Sequence, residues 1–301
     1  MDAKSKLLLF FAINFIGLGL LLIIQSSANL GKLRFIACDV GQGDGMLIIT
    51  PSGKQIVVDG GPGNRIVDCL SQKIPFWDRK IEMILLTHPQ KDHIEGLVDV
   101  LKKYEVGVIA SSGVKQDSET FKAWEDAVSA EKSKVHTAKA GDRLILDSVQ
   151  ARLPATEAAG SVGQGRTLMQ ILWPTRQMLD VWKTSPPSDL NDSSIVLRLE
   201  FGSFCAYLTG DIPKETLQNL IDKNCQILKV SHHGSKTGTN EEILEKVGPE
   251  VAVVQVGKNS YGHPHKDVLD LLRAKEVKTL RNDIKGLIEI DFDGKKLTIN
   301  N

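Results

Sequence analysis

Cysteine is scarce in this 301-residue chain: Cys38, Cys69, Cys205 and Cys225 are all there is, and none stands in a C-x-x-C pair. A thiolate zinc site is therefore excluded. Cys38, Cys205 and Cys225 fall in or beside strand-like runs, where cysteine behaves as a small buried apolar residue, so no disulfide is expected. Basic tails and Arg-rich runs are also missing. Outside residues 1–32 the chain carries 34 Lys and Arg against 36 Asp and Glu. Bulk charge thus gives no support for tight, sequence-independent DNA binding, although a local groove could still be basic. No short-period repeat is present, and an apolar run of membrane-spanning length occurs once.

What is there begins with that run. After Lys4 and Lys6, residues 7–24 contain no charge and only Asn14 as a strongly polar member. Eighteen residues reach the short end of the transmembrane range and exceed the usual signal-peptide core of roughly 7–15. An uncleaved membrane anchor is favoured. Ser26 and Ala28 leave a signal peptide cleaved after Ala28 as the alternative. The next basic residue is Lys32, so the positive-inside rule places the N-terminus in the cytoplasm and the main domain outside. Residues 1–32 are the anchor or signal segment and 33–301 the domain. With 42% hydrophobic and 25% charged residues, that domain has the composition of an ordinary globular protein.

From residue 33 strands alternate with helices. Leu33–Val40, Met46–Thr50, Gln55–Asp59 and Glu82–Thr87 are short apolar runs between Gly- and Pro-containing turns. Helices are expected at 64–74, at Asp92–Tyr104 with Ile94, Leu97, Val98 and Leu101 at helical spacing, and at Ser118–Lys132. Ala155–Arg166 and Thr175–Asp192 read as loops. Ser194–Glu200 and Phe204–Thr209 read as a hairpin around Gly202-Ser203, followed by strands at 226–231 and 251–256 and helices at 213–223, 240–247 and 265–274. Two similar halves, each a small sheet with helices outside, suggest a four-layered αββα sandwich of α/β (α+β) class behind one N-terminal hydrophobic helix. An ordinary doubly wound α/β domain would give nearly the same string.

The chemistry sits at the strand ends. Thr87-His88-Pro89-Gln90-Lys91-Asp92-His93 packs two imidazoles and a carboxylate behind Ile84-Leu85-Leu86. Nitrogen and oxygen donors at this density suit a first-row divalent ion, and water on such an ion ionises near neutral pH. A polar loop whose histidines cap the next helix is the plain alternative. Four more elements end strands: Asp59 before Gly60-Gly61, Asp211 after Gly210, the run Ser231-His232-His233-Gly234-Ser235, and Tyr261-Gly262-His263-Pro264-His265. Asp211 could instead N-cap the helix opening at Pro213. Paired histidines before Gly-Ser are hard to explain as packing.

Together with Asp39-Val40-Gly41-Gln42-Gly43-Asp44 and Asn191-Asp192-Ser193-Ser194, these motifs resemble the metallo-β-lactamase superfamily, whose strand-end motif is His-x-His-x-Asp-His. Within it they resemble the hydrolase domain at the C-terminus of ComEC, the competence DNA-uptake channel, over residues 33–301. The channel itself has no counterpart here. The resemblance implies one ion held by Asp92, His93, Asp211 and His233, and a second by His88, position 90 and a bridging Asp211. It also implies that Asp59 supports the ligand loop, that His232 and His263 bind phosphate or protonate a leaving group, and that Asn191 helps bind substrate. Zinc or manganese would be the metal.

Gln90 departs from the pattern. The superfamily has His there, and the competence-type branch often Asp. A neutral amide oxygen is a poor ligand for a divalent transition ion, so one ion, or a second arriving with substrate, is expected. The implied activity is hydrolysis of a phosphodiester, in nucleic acid or in the cell envelope, with Asp92, His232 and His263 as the catalytic set. The alternative is a non-catalytic accessory module of the same fold, its site weakened at Gln90. No protein partner is deducible.

Overall fold

The structure, a computed structural model, describes residues 31–147 and 165–300 together with residues 2, 4, 5, 10–15 and 17. Most of the predicted hydrophobic helix at 7–24, and the cleavage site after Ala28, lie outside the described residues. Residues 10–15 are helical, and among the described residues no helix is long and apolar enough to cross a membrane.

Strands β1 (Leu33–Ala37), β2 (Gly45–Ile49), β3 (Gln55–Gly60), β4 (Lys80–Leu86), β5 (Glu105–Ser111) and β6 (Lys134–Thr137) form one sheet. The last two strands, β14 (Ile288–Phe292) and β15 (Leu297–Asn300), return to it beside β1. The second sheet runs β13 (Lys278–Arg281), β12 (Val251–Val254), β11 (Ile227–Lys229), β10 (Phe204–Leu208), β9 (Val196–Phe201), β8 (Thr167–Trp173), β7 (Arg143–Ile145). Because strand side chains alternate faces, β1 sends Leu33, Phe35 and Ala37 between the sheets and Ile36 outward. The inner cluster joins Phe35, Ile48, Val58 and Leu85 to Leu197, Leu199, Ala206 and Val253.

Helices cover both outer faces. Arg65–Lys73 and Lys91–Lys103 bury Ile66, Leu70, Ile94 and Leu97 against the first sheet. Lys214–Leu220, Glu241–Val247 and Lys266–Ala274 bury Leu217, Ile243, Leu244 and Leu272 against the second. The expected αββα sandwich is thus the observed architecture. Strands carrying a covered helix on one side and the partner sheet on the other are buried twice, which is why they read as continuous apolar runs.

Three local expectations are corrected. The stretch 175–192 contains a helix, Arg176–Trp182, capped by the Thr175 hydroxyl accepting from Met178 N–H at 3.3 Å. Its Leu179 and Trp182 pack with Val114, which offsets the Ser-Pro-Pro sequence that follows. The helix expected at 213–223 is shorter, Lys214–Leu220. The cysteines do not stay free: Cys38 pairs with Cys69 and Cys205 with Cys225, their Cα atoms 5.9 and 4.7 Å apart. Burial that made each look like a small apolar residue also brings the pairs within disulfide reach.

Candidate metal centre

The C-terminal ends of β3, β4, β10, β11 and β12 converge between the two sheets, and each delivers part of one cluster. Asp59, at the end of β3, has φ +58°. Both its oxygens are used: Oδ1 accepts from Thr87 N–H at 2.7 Å, and Oδ2 accepts from the Thr87 hydroxyl at 2.7 Å and from His93 Nδ1 at 2.9 Å. The Thr87 hydroxyl spends its single proton on Asp59, so toward His88 Nδ1, 3.1 Å away, it accepts. Both imidazoles therefore donate through Nδ1 and turn Nε2 toward the cluster.

His233 reaches the same state by a different route. Its Nδ1 donates to the Gln255 carbonyl at 2.9 Å. The β11 loop turns through left-handed backbone at His232 and His233, φ 51° and 53°. Among the described residues four non-glycine side chains sit at positive φ, and Asp59, His232 and His233 are three of them. Strain of this kind persists only where the surroundings hold it, and it concentrates at functional sites.

His93 Nε2 lies 3.3 Å and His233 Nε2 3.2 Å from Asp211 Oδ2, while Asp92 Oδ2 is 3.3 Å from His233 Nε2. Asp92, His93, Asp211 and His233 offer ligand atoms all within 4.8 Å of one another. The Nε2 atoms of His88, His93 and His233 are buried without a hydrogen-bond partner. Buried polar atoms are normally satisfied, so this set fits a divalent ion by donor chemistry and by need. Asp211 caps no helix; Pro213 holds that position.

His88 is adjacent, its ring centroid 4.1 Å from that of His93, but stands outside the four-residue cluster. Its Nδ1 is also 3.3 Å from the Ser194 hydroxyl, which accepts from Asp211 N–H at 3.1 Å. Gln90 lines the cleft two residues from His88, so an amide stands where the superfamily motif carries histidine.

The charges follow from burial and pairing. Burial opposes charge on His93 and His233, yet Asp211 and its neighbouring carboxylates raise both well above the ordinary histidine value. Burial would raise Asp211, but His233, His93 and Lys229 hold it well below the usual carboxylate range. His88 is pushed down to about 3, by burial first and by His93 second. Asp92 stays ionised, lowered to about 2 despite its burial, chiefly by His233 and His93. Asp44, Asp59, Asp92 and Asp211 outnumber the single fixed cation, Lys229, so the cluster calls for added positive charge.

Lys229 was not singled out from sequence, and Asp44 entered only as the end of the Asp39–Asp44 motif, with no role of its own. Lys229 is fully buried, contacts Asp44, donates to the Gly210 carbonyl at 2.9 Å and lies 3.5 Å from Asp211 Oδ1. The signal was a lysine inside the apolar run Ile227–Val230. Asp44 is held by the loop from β1 to β2, where a Cβ on Gly43 would collide with the Asp92 carbonyl, so that loop lies directly on the start of helix Lys91–Lys103.

The cleft above the cluster has a volume of about 890 Å³. Asn191, His232 and His263 line it, with Lys91 and Lys258 beside them. The His232 and His263 rings are 5.4 Å apart, and burial is the main reason both titrate below ordinary histidine. Asn191 Oδ1 and His263 Nδ1 are buried without partners. Thus Asp59, His88, Gln90, Asp92, His93, Asn191, Asp211, His232, His233 and His263 are gathered at one place.

Fold and cluster together are those of the metallo-β-lactamase fold. Residues 54–173 match the family model of the Beta-lactamase superfamily domain. The chain is 28% identical to ComE operon protein 3 of Bacillus subtilis, with 92% of this chain and 35% of that one aligned. It is 25% identical to Recombination protein 2 of Haemophilus influenzae over 87% of this chain and 29% of that one. Competence protein ComA of Neisseria gonorrhoeae is 36% identical over 34% of this chain and 16% of its own length. The chain thus spans about a third or less of the curated relatives it matches. Among solved structures, the metallo-β-lactamase fold protein YhfI of Bacillus subtilis aligns with TM-score 0.52 at 12% identity, over 87% of this chain and 99% of that one.

Proposed function

We propose that this chain is a metal-dependent phosphodiesterase of the ComEC-like type, held outside the cytoplasmic membrane by residues 7–24 or secreted if that segment is cleaved. The observation that carries this reading is the convergence of buried, unpartnered Nε2 atoms with Asp92 and Asp211 on the floor of an open cleft. Asp92, His93, Asp211 and His233 would hold zinc or manganese. A bound ion would supply Lewis acidity and lower the pKa of water at the site.

The chain's own groups supply the rest. Asp59 and the Gln255 carbonyl fix the tautomers of His93 and His233. His232 and His263, kept neutral by burial, donate N–H groups to a phosphate oxygen, a role their lowered pKa values favour over proton delivery. Lys91 and Lys258 flank the cleft where an anionic backbone would lie. The resemblance to the hydrolase domain of the competence DNA-uptake channel favours nucleic acid as substrate; an envelope phosphodiester satisfies the same geometry.

A second reading rests on Gln90. A neutral amide beside His88 leaves the second ion position weak, which suits a non-catalytic module as well as a one-ion enzyme. Hydrolysis of bis(p-nitrophenyl) phosphate by the detergent-solubilised chain, with zinc or manganese, separates the two. Turnover that needs metal and disappears in His233→Ala establishes the enzyme. Activity no greater than that of the variant with either metal favours the module.

A further inference from the structure

The end of the molecule opposite the cleft has its own character. Strand registers place the β2–β3 turn, the starts of β4, β5 and β6, and the β14–β15 turn at that end. The chain enters the body there: Gly31 N–H donates to the Pro51 carbonyl at 2.9 Å. The neighbouring turn ties into the loop before β4, where Gln55 Nε2 donates to Asp78 Oδ2 at 2.7 Å. That loop carries Phe76 and Trp77, 81% and 53% exposed and packed edge to face at 4.8 Å. Two large aromatics packed on each other and this exposed are out of place on an ordinary water-facing loop.

The surroundings are basic. Arg79, Lys80, Lys103, Lys134, Lys295 and Lys296 are exposed at this end, outnumbering the exposed carboxylates of Glu105 and Asp293. Arg79 is tied to the end of helix Lys91–Lys103 through its carbonyl, which accepts from Glu105 N–H at 2.7 Å. Aromatic rings at headgroup depth with lysine and arginine around them are the pattern of a surface resting on anionic lipid.

The tether agrees with this. Residue 24, the last of the apolar run, is seven residues from Gly31, a span of at most about 25 Å even when fully extended. We propose that this end, led by Phe76 and Trp77, docks on the anionic bilayer that residues 7–24 enter, so that the cleft opens away from the lipid. The inference rests on the membrane-anchor reading of residues 7–24. A second protein chain could cover the same aromatics, and the test tells the two apart.

No cysteine in the described body is free, so a cysteine introduced by Phe76→Cys can be labelled selectively with an environment-sensitive nitrobenzoxadiazole probe. Ile284→Cys is the control: Ile284 is 67% exposed beside Asn282, whose side chain donates to the Ala37 carbonyl at the opposite end of β1. The full chain is reconstituted in phosphatidylglycerol-containing vesicles, with co-flotation reporting the anchor. The expected result is loss of fluorescence to brominated acyl chains at position 76 and none at 284, weakened by 0.5 M salt or by zwitterionic lipid. Co-flotation with both labels fully accessible to aqueous iodide overturns the docking while leaving the anchor intact. Position 76 shielded from iodide and untouched by brominated lipid assigns the patch to a protein partner and also overturns it. A chain that does not float removes the anchor reading and the docking with it.

Discussion

Asp59 Oδ2 holds His93 Nδ1 at 2.9 Å from the far side of the ring whose Nε2 faces Asp211 at 3.3 Å. The same carboxylate takes both donors of Thr87, so one side chain sets the ring, its tautomer and the strand end. Asp59→Asn is the clean probe, because asparagine tolerates the left-handed backbone that Asp59 adopts at φ +58°. An amide in place of the carboxylate makes His93 a poorer donor to metal. We expect zinc affinity, measured by competition with a chromophoric chelator, to fall about 10–100-fold while the circular dichroism spectrum is unchanged. Unchanged affinity would show that Asp59 serves the strand end alone.

Lys229 and Asp44 are both completely buried and in contact. Removing one partner of such a pair leaves the other charge stranded in low dielectric, at about 3–5 kcal/mol. Lys229→Met should therefore lower unfolding free energy by about that much in urea, and adding Asp44→Asn should recover a large part of it. Equal losses in the single and double variants would mean the lysine acts through packing or through Gly210 and Asp211 instead.

The sequence made the strand-end chemistry legible because strand ends are where chain reversals place side chains together. Asp92, His93, Asp211 and His233 were expected as one ligand set, and their donor atoms meet within 4.8 Å. The pairing of Lys229 with Asp44 was not legible: one partner is on β11 and the other in the β1–β2 loop, far apart in the chain, and a single lysine in an apolar run does not announce its counter-ion. The disulfides escaped for the same reason, since Cα separation is a tertiary quantity. Helix Arg176–Trp182 escaped because seven residues carry too little periodicity to outweigh a following Ser-Pro-Pro.

Those disulfides yield the next expectation. Closing segments with sequence separations of 31 and 20 restricts the unfolded chain, by about 3–4 kcal/mol each in the chain-entropy model. Protein isolated without reductant should show no free thiol to Ellman's reagent in denaturant and four after reduction. Reduction should also lower the urea midpoint. Four free thiols in the unreduced protein would argue against an oxidising compartment.

Glu289 sets an acid limit on the fold. Burial would raise its carboxyl, but hydrogen bonds from Lys73 at 2.6 Å and Arg34 more than offset this and hold it below the ordinary value. A depressed carboxylate contributes stability that is complete above its unfolded pKa, about 4.3, and is lost as pH falls through the lower folded value. Urea stability of the wild type should therefore decline with acid below about pH 4.3, and Glu289→Gln should flatten that slope. An identical slope in the variant would move the acid sensitivity to other carboxylates.

Gln90 decides the number of ions. It lines the cleft two residues from His88, whose Nε2 is buried without a partner beside His93. A neutral amide gives an incoming cation little, so the chain as it stands should bind about one zinc per molecule at micromolar free metal, measured by equilibrium dialysis with elemental analysis. Gln90→His supplies an imidazole two residues from His88, and should raise the stoichiometry toward two. If phosphodiester turnover rises with it, the wild-type enzyme is limited by the missing ion. A stoichiometry that stays at one would instead assign His88 to holding Thr87 and Ser194.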